Sequence, residues 1–153
     1  MLIKIKKPNI SITFPQANDI YKLIKFVNNK TFSYYDNYLN IVDFDVVPRQ
    51  IGYYKSAANY LELIDGNKPT TLAHHIFKLD KNNMLINICQ LILQNEIFYC
   101  YFKNRDITEV TDYLKKVYNM SNSTAKRRTS TVKAWIDWCD IIVKENNIVI
   151  EEG

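Results

Sequence analysis

The chain carries a weak internal repeat, because similar side chains recur at an offset of 75 residues. No gap is needed to align residues 37–64 with the stretch one offset later. In a chain of 153 residues, such a repeat predicts two tandem copies of one structural unit. The alternative is that any two amphipathic helices can be aligned by their apolar positions. The matched pairs are Tyr38 and Tyr113, Leu39 and Leu114, Val42 and Val117, Ser56 and Thr131, Ala57 and Val132, Tyr60 and Trp135, Leu61 and Ile136, and Glu62 and Asp137.

Apolar periodicity predicts helices in both copies, and turn signals separate them. Pro48 suits the first turn of a helix, Asp65-Gly66 is a tight-turn signal, and Asn146-Asn147 favours a hairpin. Residues 70–79 fit either a strand or a short helix. The predicted helices cover 16–29, 33–42 and 48–63 in the first copy and about 80–92, 108–118 and 124–142 in the second, with Asp80 and Thr108 as N-caps, and the predicted terminal strands cover 141–143 and 148–150.

Each copy therefore has the order helix, turn, longer helix and strand–turn–strand. That order is what a helix-turn-helix with a β-hairpin wing requires. We expect a mainly α fold with small β-hairpin wings, built from two tandem winged-helix (helix-turn-helix) units. The first unit, with an N-terminal arm, is predicted to span residues 1–79, and the second unit is predicted to span residues 80–153.

Composition narrows the cellular setting without fixing the function. The net charge of +4 permits an anionic partner such as nucleic acid. Cys89, Cys100 and Cys139 lie in apolar segments without metal-ligand spacing, which predicts buried thiols in a reducing compartment and no zinc site. No apolar run approaches the roughly 18 residues of a membrane span. We therefore expect a cytoplasmic protein that has no membrane partner.

The second long helix carries the strongest functional pattern. Its inner face is predicted to bury Ala125, Val132, Trp135, Ile136 and Cys139, with Arg128 at the edge. Its other side is basic and rich in hydroxyl groups, which suits phosphate oxygens and base edges. An ordinary solvated face is the alternative, although cations near a helix N-terminus oppose the macrodipole. The predicted DNA contacts on this helix are Ser123, Lys126, Arg127, Ser130, Thr131 and Lys133.

The first long helix is less basic. Arg49, Lys55, Ser56 and Asn59 are its polar positions, and Gly52 leaves room for close approach of a ligand. Tyr54 fits either a phosphate contact or the core, and we include it with those four as candidate DNA contacts. The 75-residue offset assigns other positions to the buried face, namely Gln50, Tyr53, Ala57, Tyr60, Leu61 and Ile64.

Two stretches resemble a known family. Arg49-Gln50, Tyr53-Tyr54, Ala57 or Ala58, and residues 60–64 are similar to the pattern RQ-x-x-YY-x-x-A-x-x-YLGLI, and residues 123–138 are similar to STxxRRxxTVxxWxxW. These patterns occur in winged-helix modules of bacterial restriction-modification and related defence proteins. The chain departs from them at Glu62, where the pattern has glycine. The resemblance implies sequence-specific recognition of double-stranded DNA, alongside a nuclease, ATPase or methyltransferase part on the same or a partner chain.

Catalytic signatures are missing from the sequence. No lysine has Asp or Glu two positions before it, as the magnesium-binding motif of many restriction nucleases would require, and no phosphate-binding glycine loop occurs. His74-His75 lacks a nearby acidic ligand, and we expect it to pack in a wing or in the core. The chain is therefore predicted to be non-catalytic, without cofactor or metal. A small nuclease is disfavoured, and the main alternative is a winged-helix adaptor that binds protein instead of DNA.

Overall fold

The computed structural model describes residues 1–32 and 48–153. The helix predicted over 33–42, the turn predicted at 43–47 and the repeat positions Tyr38, Leu39 and Val42 lie outside the described residues. In the described part the fold is mainly helical with little strand, as predicted. The helices are α1 (Ile20–Phe32), α2 (Pro48–Tyr60), α3 (Thr71–Phe77), α4 (Lys81–Leu93), α5 (Glu96–Asn104), α6 (Ile107–Val117) and α7 (Asn122–Glu145), and the strands are β1 (Leu2–Ile3), β2 (Ile64–Asp65), β3 (Lys68–Pro69) and β4 (Glu151–Glu152).

The described residues form two compact units. One, the continuous unit, is Ile12–Met84, and the other, the split unit, is Met1–Ser11 together with Leu85–Gly153. The sequence prediction placed residues 1–11 with the first half of the chain and divided the halves after residue 79. In the structure, residues 1–11 belong to the split unit. The boundary between the two units, after Met84, lies inside α4.

The N-terminal arm is held in the split unit by backbone hydrogen bonds. β1 and β4 pair in parallel, with Leu2 opposite Glu151 and Ile3 opposite Glu152. Further along, the Lys6 amide donates to the Gln94 carbonyl at 2.7 Å. The Ile3 side chain is fully buried, so the arm contributes apolar contact as well as strand pairing. Neither contribution is visible in a local sequence pattern.

In the continuous unit, α2 leads into a β-hairpin. The helix begins at Pro48, as predicted, and ends in a Schellman motif, in which the Leu63 amide donates to the Ala58 carbonyl at 2.9 Å. β2 and β3 then pair antiparallel around Gly66, whose φ of 61° suits a residue without a Cβ. The tight turn predicted at Asp65-Gly66 is confirmed. The ambiguous segment that follows is helical, because Thr70 caps α3 by accepting a hydrogen bond from the Ala73 amide at 3.1 Å.

In the split unit, Trp135 of α7 is fully buried and stacks on Phe98 of α5, with ring centroids 5.1 Å apart. Val110 and Leu114 of α6 are also buried, as predicted. The predicted cap Thr108 is wrong, because α6 starts at Ile107 and Thr108 is its second residue. The cap is Asp106, whose carboxylate accepts the Glu109 amide at 3.1 Å.

The predicted second hairpin is also wrong. Residues 141–143 belong to α7, which continues to Glu145, because Ile142 extends the buried stripe of Trp135 by two helical turns. Asn147, with a φ of 51°, ends the helix, and the Ile148 amide donates to the Val143 carbonyl at 3.0 Å. The repeat is therefore not continued past the long helices, since the residues one offset after the β2–β3 hairpin are helical.

Candidate nucleic-acid interface

The exposed face of α7 holds most of the basic residues predicted to bind DNA. The helix starts at the N-cap Ser121, whose hydroxyl accepts the Thr124 amide at 3.2 Å. Exposed side chains then recur at helical spacing along the first half of the helix. We call this set the basic face, and it consists of Lys126, Arg127, Ser130 and Lys133.

The opposite side of α7 fixes the direction of the basic face. The residues predicted to pack inward are all buried, with Ala125, Val132, Ile136 and Cys139 fully inaccessible beside Trp135. Burial and the neighbouring Cys89 thiol raise the pKa of Cys139, so this thiol stays protonated within the core. Because the buried side packs against the rest of the unit, the helix cannot turn, and the cations of the basic face stay on its exposed side.

The cations of the basic face differ in how they are paired. Lys133 Nζ lies 2.9 Å from the Asp137 carboxylate, and this hydrogen bond raises the pKa of Lys133. An Arg127 guanidinium nitrogen donates to the Thr124 hydroxyl at 3.3 Å. In residues 1–32 and 48–153, neither Lys126 nor Arg127 forms an ion pair with a carboxylate. Two cations are therefore available to an external anion without first losing a carboxylate partner.

A groove of about 440 Å³ runs between α6 and α7 within the split unit. Its α7 wall includes two of the lysines of the basic face, and its α6 wall combines hydroxyl groups with one carboxylate. The residues around it are Ile107, Thr108, Thr111, Asp112, Asn122, Lys126, Thr129, Ser130 and Lys133.

Of the DNA contacts predicted on α7, one is buried and another lies at the edge of the basic face. Thr131 is only 1% exposed, so the prediction that it contacts DNA is wrong. It is buried with the packed side of α7 instead. Ser123 is exposed beside the N-cap, with its hydroxyl 3.4 Å from that of Ser121. It therefore extends the polar surface to the start of the helix.

Two tyrosines of α2 exchange the positions expected for them. Tyr54 is 6% exposed, and burial followed by the nearby Asp19 charge raises its pKa. It is a core residue, so its inclusion among the surface contacts was wrong. Tyr53, predicted to face inward, is 40% exposed. Adjacent helical positions at the edge of a buried stripe differ little in sequence pattern, which explains the exchange.

The remaining candidates on α2 are spread over two environments. Arg49 is exposed near the start of the helix, and Lys55 is half-buried. Ser56 and Asn59 border a cavity of about 540 Å³ together with Glu62 and Asp65, and the described residues around it include no cation. The Asn59 amide also donates to the Lys55 carbonyl at 3.1 Å. A phosphate at this cavity would meet two carboxylates, so these residues do not share the electrostatics of the basic face.

His74 and His75 are exposed on α3, so the prediction that they pack in a wing or in the core is wrong. Their helix is short, and its buried side is formed by Ala73, Ile76 and Phe77. Among the described residues, no three His, Cys, Asp or Glu side chains gather where they could hold a metal ion. None of the described helices is both long and apolar enough to cross a bilayer.

The sequence prediction did not include Thr108 or Asn122 among the surface contacts. Thr108 was assigned to capping, whereas its side chain borders the groove because Asp106 is the cap. Asn122 follows Ser121, the cap of α7, and its side chain also borders the groove. Correct helix starts would have placed Thr108 four residues before Asp112 and Asn122 four residues before Lys126, although the groove itself depends on packing between the two helices.

Comparison with family models matches residues 19–144 to one described as "Domain of unknown function (DUF7226)". No curated protein and no solved structure matches the chain.

Proposed function

The chain belongs to the DUF7226 family, and from the chemistry of its own side chains we propose that it binds double-stranded DNA through the basic face of α7. The observation that carries the proposal is the exposure of Lys126 and Arg127, without carboxylate partners among the described residues, on a helix held by a buried tryptophan. Guanidinium and ammonium groups in such a position bind phosphates and read guanine edges.

The charge order along α7 supports a binding role over a stabilising one. Cations lie toward its N-terminal end and the carboxylates of Asp137 and Asp140 toward its C-terminal end. The helix macrodipole opposes cations near the N-terminus, whereas Lys144 in the last turn lies where the macrodipole favours a cation. The acidic end is compensated locally, because Asp137 pairs with Lys133 and Asp140 pairs with Arg105. Among the residues that the structure describes, Lys126 and Arg127 have no carboxylate partner, and a phosphate would compensate their charges.

The order of elements is compatible with tandem winged-helix units, which form part of the proposal. In the split unit, α6 is followed by a short turn and then by the longer α7, as in a helix-turn-helix. In the continuous unit, α2 is followed by the β2–β3 hairpin, which is the position of a wing. The split unit lacks a matching hairpin in its described residues, so its DNA contacts would come from helices.

We infer an unequal division of work between the two units. The basic face would supply most of the affinity, whereas Arg49 and Lys55 of α2 would help to set register or specificity. The resemblance to restriction-modification modules suggests that a nuclease, ATPase or methyltransferase part would lie on another domain or chain. On this proposal, the present chain itself contributes recognition and not catalysis.

Salt-dependent binding tests the proposal directly. Anisotropy of a labelled duplex oligonucleotide gives the affinity of the full chain over a series of salt concentrations. Wild-type binding should weaken with salt, because phosphate contacts release counterions. Lys126→Ala with Arg127→Ala should lower the slope of log affinity against log salt by about 2, since each phosphate contact contributes about 0.9. Salt-independent or absent binding would contradict the proposal.

The matched control is Lys115→Ala with Lys116→Ala. Both lysines are exposed in the last turn of α6, and their removal changes the net charge by the same amount. Neither borders the groove. The control should retain nearly the wild-type slope, and an equal loss in both double variants would show that net charge, and not the basic face, determines binding.

A protein-binding adaptor is the second candidate, and exposed tyrosines favour it. Tyr21 on α1 and Tyr53 on α2 are 58% and 40% exposed, and tyrosine is enriched at protein interfaces. Tyr21→Ser with Tyr53→Ser would then abolish self-association in sedimentation experiments while DNA affinity stays unchanged. A wild-type chain that is monomeric and binds duplex DNA would favour the first candidate.

A further inference from the structure

The groove between α6 and α7 has two walls of different chemistry. On the α7 wall, Asn122, Lys126 and Ser130 recur every four residues, followed by Lys133. This spacing places them along one side of the helix. On the α6 wall, Thr108 and Asp112 are also four residues apart. One wall is therefore cationic, and the other offers a hydroxyl and a carboxylate.

The floor of the groove is formed by Thr111 and Thr129, which are half-buried and buried and are hydrogen-bonded within the protein. The hydroxyl oxygens of Thr111 and Thr129 lie 3.0 Å apart, and the Thr129 hydroxyl also donates to the Ala125 carbonyl at 2.8 Å. By contrast, the side chains of Thr108 and Asn122 make no hydrogen bond within the described part of the chain. The groups available to a ligand are therefore on the walls, not on the floor.

We propose that this groove receives one phosphodiester backbone of the bound DNA, that Thr108 and Asn122 donate neutral hydrogen bonds to it, and that Asp112 opposes it from the facing wall. This inference rests on the proposed function and deepens it. It assigns contacts to α6, whereas the proposed function needs only the exposed face of α7.

A polyanion fits the cations of this groove better than a single small anion does. Lys126 and Lys133 are about 10 Å apart along the helix axis, from a rise of about 1.5 Å per residue. Lys133 is drawn toward Asp137, one turn further from Lys126. The two ammonium groups therefore present separated charges, which suit two different phosphates of one strand. Inorganic phosphate should accordingly compete poorly with an oligonucleotide.

Asp112 makes the two walls of the groove differ in how they interact with an anion. Its carboxylate is exposed on the wall that faces Lys126 and Lys133, so it repels an anion that approaches α6 and favours one that stays against α7. It also lowers the total affinity. Its removal should therefore strengthen binding, which is a result that misfolding cannot produce.

The experiment uses the full chain and the same duplex anisotropy assay. Asp112→Asn should bind about two- to fivefold more tightly, the range of an exposed charge interaction. Thr108→Val keeps the branched shape and loses the hydroxyl group, and Asn122→Ala removes the amide and puts a good helix former in its place. Each should bind about three- to tenfold more weakly with an unchanged salt slope, because a neutral hydrogen bond releases no counterion.

Glu109→Gln is the control for Asp112→Asn. Glu109 is an exposed acid on α6 that does not border the groove, and its replacement changes the net charge equally. Equal tightening in both variants, or unchanged affinity in Thr108→Val and Asn122→Ala, would overturn the groove assignment. If Lys126→Ala with Arg127→Ala still lowered the salt slope in that case, the proposed function would be retained without the groove assignment. Absence of salt-dependent binding in the wild type would overturn both.

Discussion

Glu62 provides a direct test of how α2 passes into the hairpin. It has a φ of 61° and occupies the position after the C-cap, where its amide donates to the Asn59 carbonyl at 3.0 Å. A side chain with a Cβ destabilises this left-handed conformation by roughly 1–2 kcal/mol relative to glycine. Glycine also has greater conformational freedom in the unfolded chain, which offsets part of the stability that the substitution would add.

We therefore expect Glu62→Gly to raise the free energy of unfolding by about 0.5–1 kcal/mol. For a chain of this size, that change corresponds to a rise in Tm of about 1–4 °C. Thermal unfolding followed by far-UV circular dichroism measures it at constant pH and salt. The pattern that the sequence resembles has glycine here, which fits the same backbone requirement.

Glu62→Ala is the control, because it removes the same charge and retains a Cβ. Its Tm should stay near the wild-type value. If the glycine variant were no more stable than the alanine variant, the left-handed conformation at this residue would be refuted. The Schellman end of α2 that sets the direction of the hairpin would be refuted with it.

Three further predictions concern helix caps and the basic face. Asp106→Ala should lower the free energy of unfolding by about 1 kcal/mol, while Thr108→Ala leaves it nearly unchanged, because Asp106 is the cap; urea unfolding compares them. Hydrogen bonds from Asn83 lower the pKa of Asp80, so its stabilising effect should be full above the unfolded-state pKa of about 3.9 and vanish as pH falls through the lower folded-state pKa. The difference in Tm between wild type and Asp80→Ala, followed down the acid range, should therefore shrink, and a constant difference would contradict this. Asp137→Asn should release Lys133 and tighten duplex binding in the anisotropy assay, and unchanged binding would contradict a phosphate contact of Lys133.

Local signals predicted several elements well. α2 starts at Pro48 and the hairpin turns at Gly66, because each residue limits its own backbone. The end of α7 was mispredicted because the β-branched residues of 141–143 favour strands when considered alone. Ile142 is instead buried on the same side as Trp135, and packing of the helix decides the outcome. Tertiary burial overrode local propensity there.

The candidate site was predictable in its cations and less so in its limits. Lys126 and Arg127 lie opposite a clear apolar stripe, so their exposure followed from periodicity. Thr131 and Tyr54 border such stripes, where a small rotation of the helix decides between core and surface. The α6 wall of the groove depends on packing between helices, which no single-helix pattern contains. The same holds for the pairing of β1 with a strand almost a chain length away.

The pairing of β1 with β4 has a consequence for the order of folding. During synthesis, all of Ile12–Met84 emerges before most of the split unit, so the continuous unit can fold while β1 still lacks its partner. The terminal ammonium of Met1 bonds to the carbonyl of Val149, 148 residues later. The entropy cost of closing a loop grows only with the logarithm of its length. Closing this long loop therefore costs little more than closing a loop half as long. We therefore expect vectorial folding, in which docking of the first strand is the last step.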